Sequence, residues 1–266
     1  MAVHPSPAEP QSPGSPDETK PHHPRVGGRV TLVGGGPGDP GLVTLAGAAA
    51  LIQADVVLTD HLAPSDLIWE LNPDVQVIDV GKLPRGAFTP QESINQQLVD
   101  LARQGKDVVR LKGGDSFVFG RGGEEWLACT EAGVEVRVIP GVTSAVAVPE
   151  LAGIPVTHRG VTQGFVVVSG HVAPDDPRNQ ADWGALAATG MTLVVLMGVK
   201  SLPSIAETLI AHGRPADTPA SVVANGGLPS QRRIDGTLAT IAARAAEERV
   251  APPAVCVIGE VVRALG

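Results

Sequence analysis

The chain has 266 residues, of which 43% are hydrophobic and 18% charged, and carries a net charge of −8. That apolar share supports a core for one large or two small domains and excludes disorder throughout, despite 32 glycines and 24 prolines. As a whole the acidic molecule repels nucleic acid and anionic membrane, and no apolar run reaches the roughly 20 residues a membrane helix needs. Its two cysteines, Cys129 and Cys256, form neither a disulfide framework nor a metal site. They suit a reducing compartment, so a soluble cytoplasmic protein without metal is expected.

Residues 1–27 hold seven prolines among Ser, Glu, Asp and His. Such a segment cannot bury enough surface to offset its ordering entropy, and it has no apolar centre of a secretory signal. It is expected to be a disordered tail, with His22 and His23 inert.

A short apolar strand over residues 29–33 then runs into Gly34-Gly35-Gly36-Pro37-Gly38-Asp39-Pro40. A helix follows over about residues 44–53, with Leu45, Ala48, Ala49 and Ile52 on one face. Residues 55–60 form a second strand that closes on Asp60, residues 75–80 a third and residues 107–111 a fourth. Between the last two, Thr89-Pro90-Gln91-Glu92 predicts a helix start with a hydroxyl N-cap, Pro at N1 and Glu at N3. A fifth strand over residues 134–139 ends at Pro140-Gly141. Strands alternating with helices imply a parallel α/β sheet, and such sheets bind ligands at the carboxyl ends of their strands. The unusual loops all fall at those ends.

The second half restarts this rhythm. A helix is expected over residues 142–151, a loop over 152–160, and strands near 165–169, 192–197, 220–224 and 254–258. Helices are expected at residues 202–212 and 237–248. No internal repeat is present. The layout fits two α/β domains, residues 28–140 and 141–266, joined near Pro140-Gly141 with a ligand cleft between them.

Residues 110–125 carry the densest chemistry, reading Arg-Leu-Lys-Gly-Gly-Asp-Ser-Phe-Val-Phe-Gly-Arg-Gly-Gly-Glu-Glu. The order is strand, glycine-rich turn, helix. Gly113 and Gly114 let backbone approach a bound molecule without an intervening Cβ. Asp115 sits at a strand end, and Gly120, Gly122 and Gly123 frame Arg121 as an exposed cation. The first glycine loop also shares the start of a dinucleotide fingerprint, with Asp60 ending the next strand. There, however, Asp39 stands where the third glycine belongs, and Pro37 and Pro40 break the helix entry that meets a pyrophosphate.

Taken together, Gly34-x-Gly36-Pro37-Gly38-Asp39-Pro40, residues 110–125, Pro140-Gly141-Val142-Thr143-Ser144-Ala145 and Gly153-Ile154-Pro155-Val156-Thr157-His158-Arg159 resemble the tetrapyrrole methylases. The likeness runs from about residue 28 to residue 263. Within that superfamily, residues 110–125 resemble the group that methylates uroporphyrinogen III. Bifunctional relatives carry a further dehydrogenase and chelatase module, for which this chain has no room, so a monofunctional enzyme is expected.

The resemblance implies transfer of methyl groups from S-adenosylmethionine to carbons 2 and 7 of uroporphyrinogen III. The products are precorrin-2, on the way to sirohaem and cobalamin, and S-adenosylhomocysteine. It implies Asp60 as a base and Lys82 as a proton donor or propionate anchor. For the cofactor it implies Pro37, Gly113, Gly114, Asp115, Val118, Thr143, Ser144, Met197 and Gly226. The substrate bears eight carboxylates, which Arg85, Arg121, His158 and Arg159 would hold, because a guanidinium matches a carboxylate with two parallel hydrogen bonds. A homodimer is implied by the family alone. Three residues depart from its pattern: Thr59 replaces a tyrosine, Ser116 a proline and Gly227 a threonine. Two other readings stay open at this point, a superfamily methylase acting on a later corrinoid or a non-tetrapyrrole target, and a non-catalytic cofactor or tetrapyrrole sensor.

Overall fold

Runs rich in Val, Leu and Ile extend into strands because branched side chains pack well on a pleated surface. The computed structural model describes residues 27–81 and 89–266. The tail expected up to residue 26 lies outside the described residues. In the first half, β1 (Arg29–Gly34), β2 (Val56–Thr59), β3 (Gln76–Asp79), β4 (Asp107–Lys112) and β5 (Glu135–Ile139) pair in the order β3-β2-β4-β1-β5. Every pairing is parallel. Period-two alternation sends Val30, Leu32, Val56, Leu58 and Val108 to one face, against α3 (Gln91–Arg103) and α4 (Gly122–Glu131). It sends Val33, Val57, Val109 and Leu111 to the other, against α1 (Leu45–Ile52) and α2 (Asp66–Leu71). Covering both faces is what makes these strands read as continuous apolar runs. Leu32, Leu58 and Leu98 are fully buried, and each such side chain contributes about 1.5–3 kcal/mol.

The second sheet is mixed rather than parallel. Its strands are β6 (Phe165–Ser169), β7 (Thr192–Leu196), β8 (Pro219–Ala224), β9 (Arg232–Thr237) and β10 (Ala254–Ile258), in the order β6-β7-β10-β8-β9. Only β6 and β7 run parallel, while β10 is antiparallel to both its neighbours and β9 to β8. No helix separates β8 from β9, so that pair breaks the strand–helix rhythm read in the sequence. With Arg232, Arg233 and Asp235 in it, β9 shows no apolar run. The helix α6 (Trp183–Ala188), also absent from the sequence reading, is a short Ala-Gly stretch without a long periodic face. It packs with α7 (Leu202–Ala211) and α8 (Ile241–Glu247) on one face of this sheet. The other face is covered by α5 (Ser144–Leu151), through Ala145 and Val148 against Val194, Leu196 and Val257.

One local expectation changes. The helix α3 begins at Gln91 with Pro90 as its N-cap and no side-chain cap bond, so the Thr89–Glu92 capping box does not form. Gln91 is instead drawn inward to Glu125 and Asn95. Both cysteines are core residues. Burial, with the Glu125 carboxylate adding to it, pushes the Cys129 thiol up to about 11. Burial alone pushes Cys256 up to about 12.

Three strand ends touch through backbone. A Cβ built on Gly34 would lie 2.4 Å from the Gly141 nitrogen, and one on Gly141 would lie 2.4 Å from the Gly114 carbonyl oxygen. Gly36 and Gly114 exchange hydrogen bonds of 3.1 and 2.6 Å across the same crossing. The carboxylate of Asp115 clips it further by accepting from the Gly141 N–H at 3.0 Å. Gly141→Ala is therefore expected to destabilise the fold by about 1–3 kcal/mol through overpacking. Gly123→Ala, whose added Cβ meets nothing within 4 Å, should be neutral or stabilising in the first turn of α4. Thermal unfolding of the two variants checks this, and equal midpoints would refute the crossing as a packing constraint.

Candidate active site

The loops that leave β1, β2, β4 and β5 open onto one cleft. A cavity of about 450 Å³ is lined from the first half by Pro37, Asp60, Lys112, Gly113 and Arg121, with Ser144 at the start of α5. The second half supplies Met197 after β7, Gly226 after β8, and Pro252 and Pro253 before β10. These come from one edge of the second sheet, because β10 runs antiparallel and its start lies beside the ends of β7 and β8. A second cavity of about 820 Å³ shares Pro37, His61, Leu62, Gly113, Ser144 and Pro253 with the first and adds Gly114 and Gly227. The cleft is thus closed by both sheets.

Its floor is a buried charge cluster that alternation builds. Residues 56, 58 and 60 point to the α3/α4 side, and Arg110, which pairs in register with Leu58, and Lys112 follow the same phase as Val108. Opposite them α4 presents Glu125, which is 0% exposed. Its Oε1 accepts from Arg110 Nε at 3.0 Å, Lys112 Nζ at 3.1 Å and Gln91 Nε2 at 3.2 Å. Arg110 reaches on to Asp60 Oδ2 at 3.1 Å, and the other oxygen of Asp60 accepts from the Leu62 N–H at 3.1 Å. Burial lowers the proton affinity of Lys112 and the neighbouring Arg110 lowers it further, while Glu125 works against both. Removing one member of a buried ion cluster typically costs about 3–5 kcal/mol, because its partner is left uncompensated.

The glycine-rich turn is organised differently from the sequence expectation. A Cβ on Gly113 would clash with Leu62 at 2.7 Å, and Cβ atoms on Gly120 and Gly122 would meet the Ser116 carbonyl oxygen at 2.6 and 2.5 Å. These glycines serve backbone packing within the protein, although Gly113 and Gly120 also line the cavity. Gly114, at φ 66°, has only Ser144 nearby, with the closest atom at 3.7 Å, and stays open. Asp115 spends both oxygens on backbone, accepting from Phe117 N–H at 2.8 Å and Gly141 N–H at 3.0 Å. It does not line the first or the second cavity.

Arg121 is not a free cation. It caps α4 at φ 58° and forms a two-pronged pair with Glu124 at 2.8 and 2.7 Å. That pair raises the Arg121 guanidinium and lowers the Glu124 carboxyl relative to their ordinary values. Phe119, Met197 and Asn225 share its left-handed backbone, at φ 54°, 57° and 53°. Non-glycine residues rarely adopt that region. Phe119, Arg121 and Met197 line the cavity, and Asn225 directly precedes Gly226. Strain at about 1–3 kcal/mol per such residue is concentrated around one cleft.

The remaining sequence candidates divide. Val118, Ser144, Met197 and Gly226 line the first cavity with Pro37, Asp60 and Arg121. Thr143 stands just behind, as the N-cap of α5, with Oγ1 accepting from Ala145 N–H at 3.3 Å. His158 and Arg159 line neither cavity. Both are exposed, on a turn closed by Val161 and Thr162 N–H donation to the His158 carbonyl. Lys82 and Arg85 lie outside the described residues. Asp60 does not cap α2, which begins after Ser65 without a side-chain cap bond. Lys112, Glu125, Gln91 and His61 do not stand out as site residues in the sequence. The signal for the first two is nevertheless there: charged side chains in the phase of a buried strand face and of a buried helix turn.

Comparison with known proteins gives this geometry a lineage. The profile of the tetrapyrrole (corrin/porphyrin) methylases matches residues 29–242. The chain is 47% identical over 239 residues to the uroporphyrinogen-III C-methyltransferase of Methanocaldococcus jannaschii, covering 90% of this chain and 98% of that one. It is 49% identical to the siroheme synthase of Neisseria meningitidis, over 89% of this chain and 48% of that protein, so it spans about half of that longer relative. The structure of uroporphyrin-III C-methyl transferase from Thermus thermophilus complexed with S-adenyl homocysteine is similar at a TM-score of 0.74 and 41% identity. That likeness covers 89% of this chain and 94% of the Thermus chain. Two sheets sharing a strand-end cleft, matched by a family profile across most of the sequence, place this chain among the tetrapyrrole methylases.

Proposed function

We propose that the chain methylates uroporphyrinogen III at carbons 2 and 7, using S-adenosylmethionine, and so forms precorrin-2. The observation that carries this reading is the 47% identity to a uroporphyrinogen-III C-methyltransferase over 98% of its length. The cleft supports it: apolar positions for an adenine come from Met197 and Val118, and cations for an acidic substrate from Lys112 and Arg121. A pyrrole β-carbon attacks the sulfonium methyl, and holding the two in line removes most of the entropic barrier. The ring is then iminium-like and loses a proton from the adjoining bridge carbon. Asp60, oriented by Arg110 and the Leu62 N–H, is the base proposed for that step.

Further assignments follow the same reading. Pro37, Gly113, Gly114, Ser144, Met197 and Gly226 surround the cofactor, with Thr143 and Asp115 shaping its loops. Arg121 exchanges Glu124 for a substrate carboxylate, an exposed pair that contributes only about 0–1 kcal/mol to begin with. Lys82 is kept as a proton donor or propionate anchor, and Arg85, His158 and Arg159 as substrate candidates. A division at 28–140 and 141–266, a homodimer, a cytoplasmic location and supply to the sirohaem or cobalamin branch complete the proposal.

Incubation with uroporphyrinogen III and methyl-labelled S-adenosylmethionine should give a doubly labelled precorrin-2, and absence of label transfer would sink the reading. Asp60→Asn should bind S-adenosylhomocysteine as the parent does yet turn over about a hundredfold more slowly. A parental rate would remove Asp60 from the chemistry. Arg121→Ala should raise the substrate KM about tenfold, the loss of one charge-assisted hydrogen bond. Calorimetry should find its cofactor affinity unchanged, and equal losses for both ligands would refute the assignment.

A further inference from the structure

Glu125 has no place in the reading above, yet it is fully buried one side chain away from the proposed base. Three donors converge on its Oε1, while its Oε2 is buried without a partner among the described residues. An apolar residue would fill this position on α4 at lower desolvation cost, since buried ion clusters are often replaceable by hydrophobic ones without loss of stability. The cluster also does not end inside the core. Arg110 donates through Nε to Glu125 and through Nη2 to Asp60, and Lys112 and Asp60 both line the cavity. One guanidinium is therefore shared by two carboxylates, one buried and one facing the cleft.

We propose that Glu125 is a positioning residue for methylation, acting through Arg110 to set the orientation and the charge balance of the Asp60 carboxylate. This rests on the reading of Asp60 as the base. Among the described residues, the charged and titratable groups around Asp60 are Arg110 and Lys112 on β4, Glu125 on α4, and His61, which follows it in the chain and lines the cavity. At the rim Arg121 and Glu124 are paired with each other. Asp60 and Glu125 against Arg110 and Lys112 make two anions and two cations, so the floor is balanced. Removing either charge from the far side tilts the balance in a direction that electrostatics fixes. Neutralising Glu125 takes away a like charge and leaves Asp60 as the one carboxylate on the guanidinium among the described residues, which favours the ionised base. Neutralising Lys112 takes away a cation and favours the protonated base.

The test is the acid limb of the turnover–pH profile in the whole chain. Glu125→Gln suits the site, because an amide oxygen can keep the three donors while its nitrogen takes the place of the unpartnered Oε2. In this variant the limb should move to lower pH by about half a unit or more, with kcat down about tenfold at the optimum, as a weaker and less well held base gives. In Lys112→Met the limb should move to higher pH. The KM for S-adenosylmethionine should stay within about twofold of the parent in Glu125→Gln, as expected where only the transition state loses an interaction. Glu125→Asp keeps the charge but draws it back from Arg110, so it moves the limb as the amide does but by less. It replaces the amide variant if that one fails to bind S-adenosylhomocysteine. Limbs that stay in place, or that move in the same direction for Glu125→Gln and Lys112→Met, overturn the proposal. Asp60→Asn run alongside separates the two failures: a parental rate there overturns the base itself, whereas a slow rate with unmoved limbs overturns only the role of Glu125.

Discussion

The site depends on one backbone crossing. Gly34 and Gly141 approach each other and the Gly114 carbonyl so closely that neither could carry a side chain without displacing backbone. This approach is possible only because β4, β1 and β5 are parallel neighbours whose carboxyl ends fall at the same level. It has a consequence in the other half of the molecule. Gly141 is followed at once by the Thr143 cap and α5, and α5 packs on the second sheet. The crossing thus fixes where the chain leaves the first sheet and how the second sheet presents Met197 and Gly226 to the cleft.

Electrostatics work against the composition. The chain carries −8 overall, but surface fields fade within about 8–10 Å in physiological salt, so cations in the cleft are compatible with an acidic body. Two kinds of cation sit there. Lys112 is buried and held by Glu125, and its loss would expose an unbalanced charge. Arg121 is half exposed and paired with a half-exposed Glu124 three residues on. Water screens that pair, so exchanging Glu124 for another carboxylate would cost little.

The first half of the fold was legible because both of its sheet faces are covered, which leaves apolar runs of strand length between glycine-rich turns. The second half was less so. β9 holds Arg232, Arg233 and Asp235 at a sheet edge, where alternation is masked by charge, and α6 is too short to show a period. In the site, motifs located the cleft through its loops, since Pro37, Gly113, Ser144, Met197 and Gly226 do line it. What motifs did not convey was direction. Asp115 turns into its own backbone, and His158 and Arg159 sit on an exposed turn away from both cavities. The buried cluster was legible in principle, because Val108-x-Arg110-x-Lys112 places two cations on the face that Val30, Leu32 and Val56 bury. A glycine run beside it drew the reading toward the turn instead.

Thr59, Ser116 and Gly227, which the resemblance marks as departures, bear unequally on the cleft. Thr59 and Ser116 are buried at 4% and 0% exposure, and neither lines a cavity. Ser116 even keeps a buried hydroxyl without a partner among the described residues, while its carbonyl closes the turn by accepting from Gly122 N–H at 2.9 Å. Its contribution is made by backbone, and backbone is what a proline at that position would also offer. Gly227 is different. It lines the second cavity at φ 82°, a conformation that a β-branched residue adopts only under strain. A Cβ there would stand 3.4 Å from both the Asp39 nitrogen and Pro37 Cγ, against the first glycine loop. A side chain at residue 227 would therefore fill the seam between the two halves, and its absence leaves that seam to the cavity. Of the three departures, only this one changes the shape of the space a ligand meets.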